Sequence, residues 1–166
     1  IDIQPDIVIC EDSNSGNDFF EAISEGKNYK VISAKGKSNI FKQIMDHAGS
    51  KILVIADGAA FGSEIDRIMK LISNDSCVAL FLPESFEWLI LSSGVVKKVI
   101  NTDVLEHPAE YIESSEYFSW ERFFTQYLVA VTQKTYMHYN KQKINPVYLH
   151  EANQNAILET MKPVNI

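Results

Sequence analysis

The stretch that decides the fold is Lys51-Ile52-Leu53-Val54-Ile55-Ala56, which runs directly into Asp57-Gly58-Ala59-Ala60-Phe61-Gly62. Its first part is a continuous run of aliphatic residues without polar alternation. Such a run is typical of a strand that is buried on both faces of a parallel sheet. The acidic residue and the glycines that follow predict that strand 51–56 ends in a loop at Asp57.

Similar apolar runs lie on both sides of this stretch, and helical patterns separate them. The predicted strands span residues 6–10, 29–34, 51–56 and 77–82, and the predicted helices cover 19–23, 40–48 and 65–72, with Asn17 or Asp18 as the first N-cap and with Gly26 and Gly49 as terminators. Strands that alternate with helices indicate parallel pairing and right-handed crossovers. We therefore expect an α/β fold, a Rossmann-like three-layer sandwich with a four- to five-stranded, mainly parallel sheet.

The chain changes character after Pro83. Residues 86–91 predict a strongly apolar helix, and residues 95–100 predict a short fifth strand or an extension of the preceding segment. A long amphipathic helix with an aromatic face is expected over 119–139, and a last helix over 149–161. These patterns assign residues 1–100 to the α/β sheet core and residues 101–166 to a helical C-terminal extension packed on the same domain.

Composition limits the classes of function. The chain has 166 residues, of which 46% are hydrophobic, and this is enough for one domain with a sizeable core. Its formal net charge of −7 argues against a strongly electrostatic grip on nucleic acid, unless metal ions or a local basic strip provide one. The best local candidate for contact with phosphate is a basic strip that consists of Lys134, His138, Lys141 and Lys143.

Several features point to a cytoplasmic location. No apolar stretch has the length of a membrane span, and no signal-peptide pattern opens the chain. Cys10 and Cys77 lie in apolar runs and are expected to be reduced core residues. Because the chain begins at Ile1 and not at a methionine, we expect a piece of a longer protein, with another domain of that polypeptide as a partner.

Acidic residues follow three of the predicted strands. Glu11 and Asp12 follow the first strand, Asp57 follows the third, and Glu84 follows the fourth, with Glu87 one turn further on. The carboxyl ends of parallel strands meet in a crevice that binds ligands, and neighbouring carboxylates repel unless a cation lies between them. The first four acids are therefore predicted to ligate Mg²⁺. The alternative is that they are ordinary helix caps and solvated loop residues.

The order strand-Glu11, helix, strand, helix, strand-Asp57 resembles the TOPRIM domain of topoisomerases, primases and the nucleases attached to some ATPases. That family has a glutamate after its first strand and Asp-x-Asp-x-x-Gly after its third. This chain keeps the first aspartate at Asp57 and the glycine at Gly62, but Ala59 stands at the second aspartate. The family glutamate is usually followed by glycine, whereas Asp12 stands here. The resemblance covers about residues 5–90.

By this resemblance Glu11 and Asp57 are the catalytic residues. Glu11 would act in proton transfer and Asp57 would hold Mg²⁺, while Asp12 or Glu84 would supply the missing ligand. The implied substrates are nucleic-acid phosphodiesters, reached through the metal. The loss of the second aspartate equally predicts a degenerate, non-catalytic TOPRIM-like domain.

Two other functions remain open. The chain also resembles a response-regulator receiver domain, in which a phospho-accepting aspartate is surrounded by an acidic pair, a hydroxyl and a lysine; the corresponding residues are Asp57, Glu11 with Asp12, Ser85, and Lys97 or Lys98. The helical tail after residue 101 is foreign to that family. The remaining alternative is a non-catalytic interaction or scaffold module that docks a partner through this tail.

Overall fold

The computed structural model describes residues 4–58, 64–74, 77–97, 103–108, 120–162 and 164–166. Its strands are β1 (Ile7–Cys10), β2 (Lys30–Ser33), β3 (Ile52–Ile55) and β4 (Val78–Phe81). Its α-helices are α1 (Ser15–Ser24), α2 (Ile40–Asp46), α3 (Glu64–Asn74), α4 (Phe86–Ser92), α5 (Asp103–Glu106), α6 (Trp120–Thr132) and α7 (Glu151–Thr160), with 3₁₀ turns at Lys37–Asn39 and Pro146–Leu149. None of the helices in these ranges is long and apolar enough to cross a membrane.

The four strands form one parallel sheet in the order β2-β1-β3-β4. Cys10, the last residue of β1, is in register with Ser33 of β2 and with Ile55 of β3, and Ile55 is in register with Phe81 of β4. All four strands therefore end level with one another. The expected Rossmann-like α/β fold is confirmed, and the chain reverses its direction of winding between β1 and β3, where open parallel sheets bind ligands.

Both faces of the sheet are covered, which explains why its strands are apolar throughout. Alternate residues of a strand point to opposite faces. Val8 and Leu53 face a core built with α1, α4, α6 and α7, whereas Ile9 and Val54 face a core built with α2 and α3. All four side chains are fully buried, and each contributes roughly 1.5–3 kcal/mol to the free energy of unfolding.

The C-terminal residues pack on the first of these faces, but the helix predicted for 119–139 is wrong beyond Thr132. The Thr132 hydroxyl donates to the Leu128 carbonyl at 2.7 Å and accepts from the backbone N–H of Tyr139 at 3.0 Å. A threonine hydroxyl that bonds to the backbone in this way competes with helix continuation. The chain folds back after Thr132, and Met137 and Tyr139 enter the core.

Two smaller expectations also change. Residues 95–97 form no strand, and the rest of the predicted fifth strand lies outside the described residues. Neither Asn17 nor Asp18 caps α1, because this helix begins at Ser15 with Asn14 at the N-cap position. The side chain of Asp18 instead accepts a hydrogen bond from the backbone N–H of Ile144 at 3.1 Å, which ties the C-terminal segment to α1.

Candidate functional site

The candidate site is a cleft at the carboxyl edge of the sheet, where the loops after β1, β3 and β4 meet the start of α1 and residues 139–141. Its polar lining includes Glu11, Asp12, Asp57, Glu87, Tyr139 and Lys141. The space inside is about 40 Å³. Since one water needs roughly 10–15 Å³ by this measure, the cleft has room for a few waters or one partly hydrated ion.

Glu11 crosses from the end of β1 to the end of β3. Its backbone N–H donates to the Ile55 carbonyl at 3.0 Å, and its own carbonyl accepts from Gly36 at 2.7 Å. Its side-chain Oε2 accepts the backbone N–H of Asp57 at 3.1 Å. The pairing of β1 with β3 thus brings Glu11 and Asp57 together, as the sequence predicts for neighbouring strands.

Asp57 is positioned by the glycine that follows it. Gly58 donates its N–H to the Pro83 carbonyl at 2.7 Å. A Cβ at position 58 would lie 3.1 Å from the Leu82 carbonyl oxygen and 3.2 Å from the Pro83 carbonyl oxygen. The group that approaches Gly58 is therefore the backbone of the β4 loop, and this contact fixes where Asp57 enters the cleft.

Asp12 is a half-buried residue of the same loop as Glu11. Its carbonyl accepts the Ser33 hydroxyl at 2.7 Å, and its Oδ2 accepts the side-chain amide of Asn14 at 3.3 Å. Beside it, burial and to a smaller degree Glu21 and Asp12 raise the pKa of the Cys10 thiol far above its usual range. Cys10 is therefore a neutral thiol in the cleft wall and not an activated nucleophile.

The first turn of α4 contributes Glu87 to the cleft, whereas Glu84 of the preceding β4 loop is not part of the lining. Ser85 caps α4, because its Oγ accepts the backbone N–H of Trp88 at 3.1 Å. Glu87 lies in the first turn of this helix and is only 3% exposed. Glu84, just before the cap, is half-buried, and this burial raises the pKa of its carboxyl group.

Glu87 is held by two residues of the C-terminal extension. The Tyr139 hydroxyl donates to Glu87 Oε1 at 2.9 Å, and Lys141 Nζ lies 3.9 Å from the same oxygen. Burial, and then the charge of Glu87, raises the pKa of Tyr139 far above its usual range, so that its hydroxyl stays a hydrogen-bond donor. The cleft is thus closed on one side by this Glu87–Tyr139–Lys141 network.

The backbone of residues 140–144 is fastened to the start of α1. Ser15 donates its N–H to the Lys141 carbonyl at 2.9 Å and its hydroxyl to the Asn140 carbonyl. The bond from Ile144 to Asp18 completes this attachment. The backbone position of Lys141 is therefore fixed by main-chain hydrogen bonds, whichever group its ammonium contacts.

Sequence reasoning missed Asn17 and Tyr139 as cleft residues. Asn17 is 7% exposed, lines the cleft, and its Oδ1 accepts no hydrogen bond from any described residue. Tyr139 had no distinguishing signal, because helical spacing placed it on a continuous helix. The sequence marks Lys141 only as a member of a basic strip, and it marks Glu87 only as an acid one turn beyond Glu84.

The donor set can be compared with what Mg²⁺ requires. Within the described ranges, no group of three or more His, Cys, Asp or Glu side chains is placed to hold a metal ion. Mg²⁺ is commonly bound by one or two carboxylates and keeps several waters. The residues therefore fit an ion held by Glu11 or Asp57 with water, and they do not fit a cage of three protein ligands.

The receiver-like alternative is met only in part: Asp57 lines the cleft with Glu11 and Asp12, but its hydroxyl and lysine are placed elsewhere. Ser85 is fully buried and occupied as the cap of α4, and Lys97 is exposed and does not line the cleft. Lys98 lies outside the described residues. The lysine that does line the cleft with Asp57 is Lys141, from the opposite end of the chain.

Comparison of the chain with protein-family models, with curated proteins and with solved structures gives no match. The function of the chain is therefore inferred from the motif residues and from the geometry of the cleft.

Proposed function

We propose that this chain is a TOPRIM-like domain that acts on nucleic-acid phosphodiesters with the help of Mg²⁺. The observation that carries the proposal is the meeting of Glu11 and Asp57 in one cleft, with Glu11 Oε2 hydrogen-bonded to the Asp57 N–H. These two residues come from the two motifs on which the resemblance rests. The strand order places them at the point where open parallel sheets bind ligands.

Each acid has a role in this proposal. Asp57 would hold the ion with water, and Asp12 is the nearby acid that can replace the aspartate lost at Ala59, because it lines the same cleft. The bound ion would neutralise charge on the phosphate. Glu11 is fixed across the ends of β1 and β3, so its carboxyl group can accept a proton from an attacking water at a defined place.

A second candidate is a non-catalytic interaction module. The observation that favours it is that the acids of the cleft are already engaged within the protein: Glu11 bonds to the backbone of Asp57, and Glu87 bonds to Tyr139. An acid that caps or braces the fold needs no metal. In this candidate the cleft is a structural joint between the sheet and the C-terminal extension.

A Mg²⁺ or Mn²⁺ titration followed by thermal melting separates the two candidates. An ion that binds only the folded state stabilises it by about 2.7 kcal/mol at a hundred times its Kd. We expect this response in the wild type and in Asp66→Asn, and its loss in Asp57→Asn. Asp66 is exposed on α3, so its variant controls for the loss of one negative charge.

Cleavage of a labelled oligonucleotide then tests the chemistry. Glu11→Gln is expected to abolish cleavage while part of the Mg²⁺ response remains, since Asp57 is still present. Equal metal responses in Asp57→Asn and Asp66→Asn contradict the proposed site. If none of the proteins responds to metal, the interaction module is the better description.

A further inference from the structure

Lys141 borders a second depression, on the surface of α6. This depression, which we call the α6 groove, is lined by Arg122, Thr125, Gln126 and Lys141. Thr125 and Gln126 are three and four positions after Arg122, so all three border the same side of the helix. The groove is an open surface depression of about 400 Å³.

The α6 groove and the cleft differ in charge. The described lining of the groove has two cationic side chains and two that can hydrogen-bond, with no acid, whereas four acids line the cleft. Lys141 belongs to both linings. The chain as a whole carries a formal charge of −7, and Lys141 Nζ lies 3.9 Å from Glu87 Oε1 in the cleft. Arg122 and Lys141 are thus two cationic side chains on one depression of an otherwise acidic protein.

Both cationic residues belong to segments whose backbone is held in place. The Lys141 backbone is bonded to Ser15, and α6 is fastened to the core by Phe124 and Leu128, which are fully buried. Arg122 lies on the exposed side of this helix. Arginine and lysine are the usual partners of phosphate oxygens, and threonine and glutamine add neutral donors.

We propose that the α6 groove binds the phosphates of a nucleic-acid strand next to the phosphate that meets the ion at the mouth of the cleft. This inference rests on the proposed function, because the groove would bind the part of the same nucleic-acid strand that lies outside the acidic cleft. Arg122 and Lys141 are positioning residues here: they hold the strand, and Lys141 guides it from the groove to the cleft. Since the contacts are to phosphate, binding is expected to be independent of base sequence.

Fluorescence anisotropy with a short labelled single-stranded oligonucleotide tests this inference over a range of NaCl concentrations. Arg122→Gln is the decisive variant, because Arg122 is exposed and the substitution leaves the core untouched. We expect its affinity to fall roughly five- to tenfold. The slope of log K against log salt should fall by about 0.7 for each phosphate contact that is lost.

Lys70→Gln is the matched control, since Lys70 is exposed on α3, which packs on the other face of the sheet, and it lines neither the groove nor the cleft. It removes the same charge and should leave affinity unchanged. Lys141→Gln should resemble Arg122→Gln, and Lys141→Arg should restore binding. Equal affinities for Arg122→Gln and Lys70→Gln, or a wild type that binds no oligonucleotide with or without Mg²⁺, would overturn the inference.

The oligonucleotide measurement is independent of the metal titration. If Arg122→Gln weakens binding while Asp57→Asn leaves the metal response intact, phosphate binding in the groove is supported and the proposed metal site is contradicted. If the metal response depends on Asp57 but Arg122→Gln binds like the Lys70 control, the metal site is supported and the groove is contradicted.

Discussion

The two walls of the cleft are built differently. The sheet wall consists of Glu11, Asp12 and Asp57, which follow β1 and β3, are half-buried, and are positioned largely through backbone hydrogen bonds. The other wall, which we call the helical wall after α4, consists of Glu87 from the first turn of that helix and of Tyr139 and Lys141 from the segment that follows α6. Glu87 and Tyr139 are 3% and 1% exposed, and they are held by contacts between side chains.

This difference assigns different roles to the two walls. A carboxyl group as buried as Glu87 must be hydrogen-bonded or paired, since burial of an unpaired charge is strongly unfavourable. The partners of Glu87 are therefore needed for the fold itself. The half-buried acids of the sheet wall keep contact with solvent and can exchange water for a ligand. The helical wall is a brace, and the sheet wall is where chemistry can take place.

The largest effect is expected when the brace is cut. Tyr139→Phe removes the hydroxyl that donates to Glu87 and keeps the ring, so the free energy of unfolding should fall by about 2–3 kcal/mol. Urea denaturation measures this loss. The Mg²⁺ response per mole of folded protein should be unchanged, because Tyr139 is not on the sheet wall.

Tyr148→Phe is the matched control for this loss. Tyr148 is also fully buried, its ring packs against that of Tyr139, and its hydroxyl donates to the neutral Met137 carbonyl at 2.6 Å. Loss of a bond to a neutral acceptor should cost only about 1 kcal/mol. Equal losses in the two variants would mean that the hydrogen bond to the Glu87 carboxylate contributes no more to stability than a bond to a neutral carbonyl.

The next effect comes from displacing the sheet wall. Gly58→Ala puts a Cβ within 3.2 Å of two backbone carbonyls of the β4 loop, which cannot move aside as a side chain can. We expect a loss of about 1.5 kcal/mol in the free energy of unfolding, together with a weaker Mg²⁺ response, because Asp57 must shift. Thermal melting with and without the ion measures both.

Gly16→Ala provides the comparison for Gly58. Its added Cβ would meet Phe86 Cγ at 3.2 Å and Phe86 Cβ at 3.3 Å, and the Phe86 ring packs against Phe19 and Phe20, but the contact is with a side chain and not with backbone. Position 16 is the second residue of α1, so a gain in helix propensity of at most about 1 kcal/mol offsets part of the crowding, and the loss should be smaller than that of Gly58→Ala. A Gly16 variant as damaged as the Gly58 variant would show that any crowding of the cleft is harmful.

Most of the fold was predictable from local patterns. The strands at 51–56 and 6–10 are apolar throughout because both of their faces are covered, and this is visible in the residues alone. The end of α6 was not predictable in the same way. The apolar spacing runs to Val131 and no glycine or proline follows before Pro146, so no residue type marks the end of the helix. The helix stops because the Thr132 hydroxyl bonds to the backbone of Leu128 and Tyr139.

The sheet wall was predictable and the helical wall was not. Glu11, Asp12 and Asp57 directly follow strands, and parallel pairing alone brings such residues to one edge. Tyr139 and Lys141 reach the cleft from the far end of the chain through tertiary contacts, which have no local pattern. The choice between Glu84 and Glu87 depends on the direction of α4, which the cap at Ser85 sets.

The smallest effect concerns Glu84, which belongs to neither wall. Burial raises its pKa above the ordinary value of 4.5, so its contribution to stability is most favourable below that pH and is lost as pH rises through the folded-state pKa. Glu84→Gln should therefore be more stable than the wild type at neutral pH, by less than about 1 kcal/mol since the group is partly solvated, and the gap should close near pH 4. Urea denaturation across this pH range measures the gap, with Glu25→Gln as the control for the same charge change at an exposed position. A metal response that weakens in Glu84→Gln as it does in Asp57→Asn would instead place Glu84 with the sheet wall.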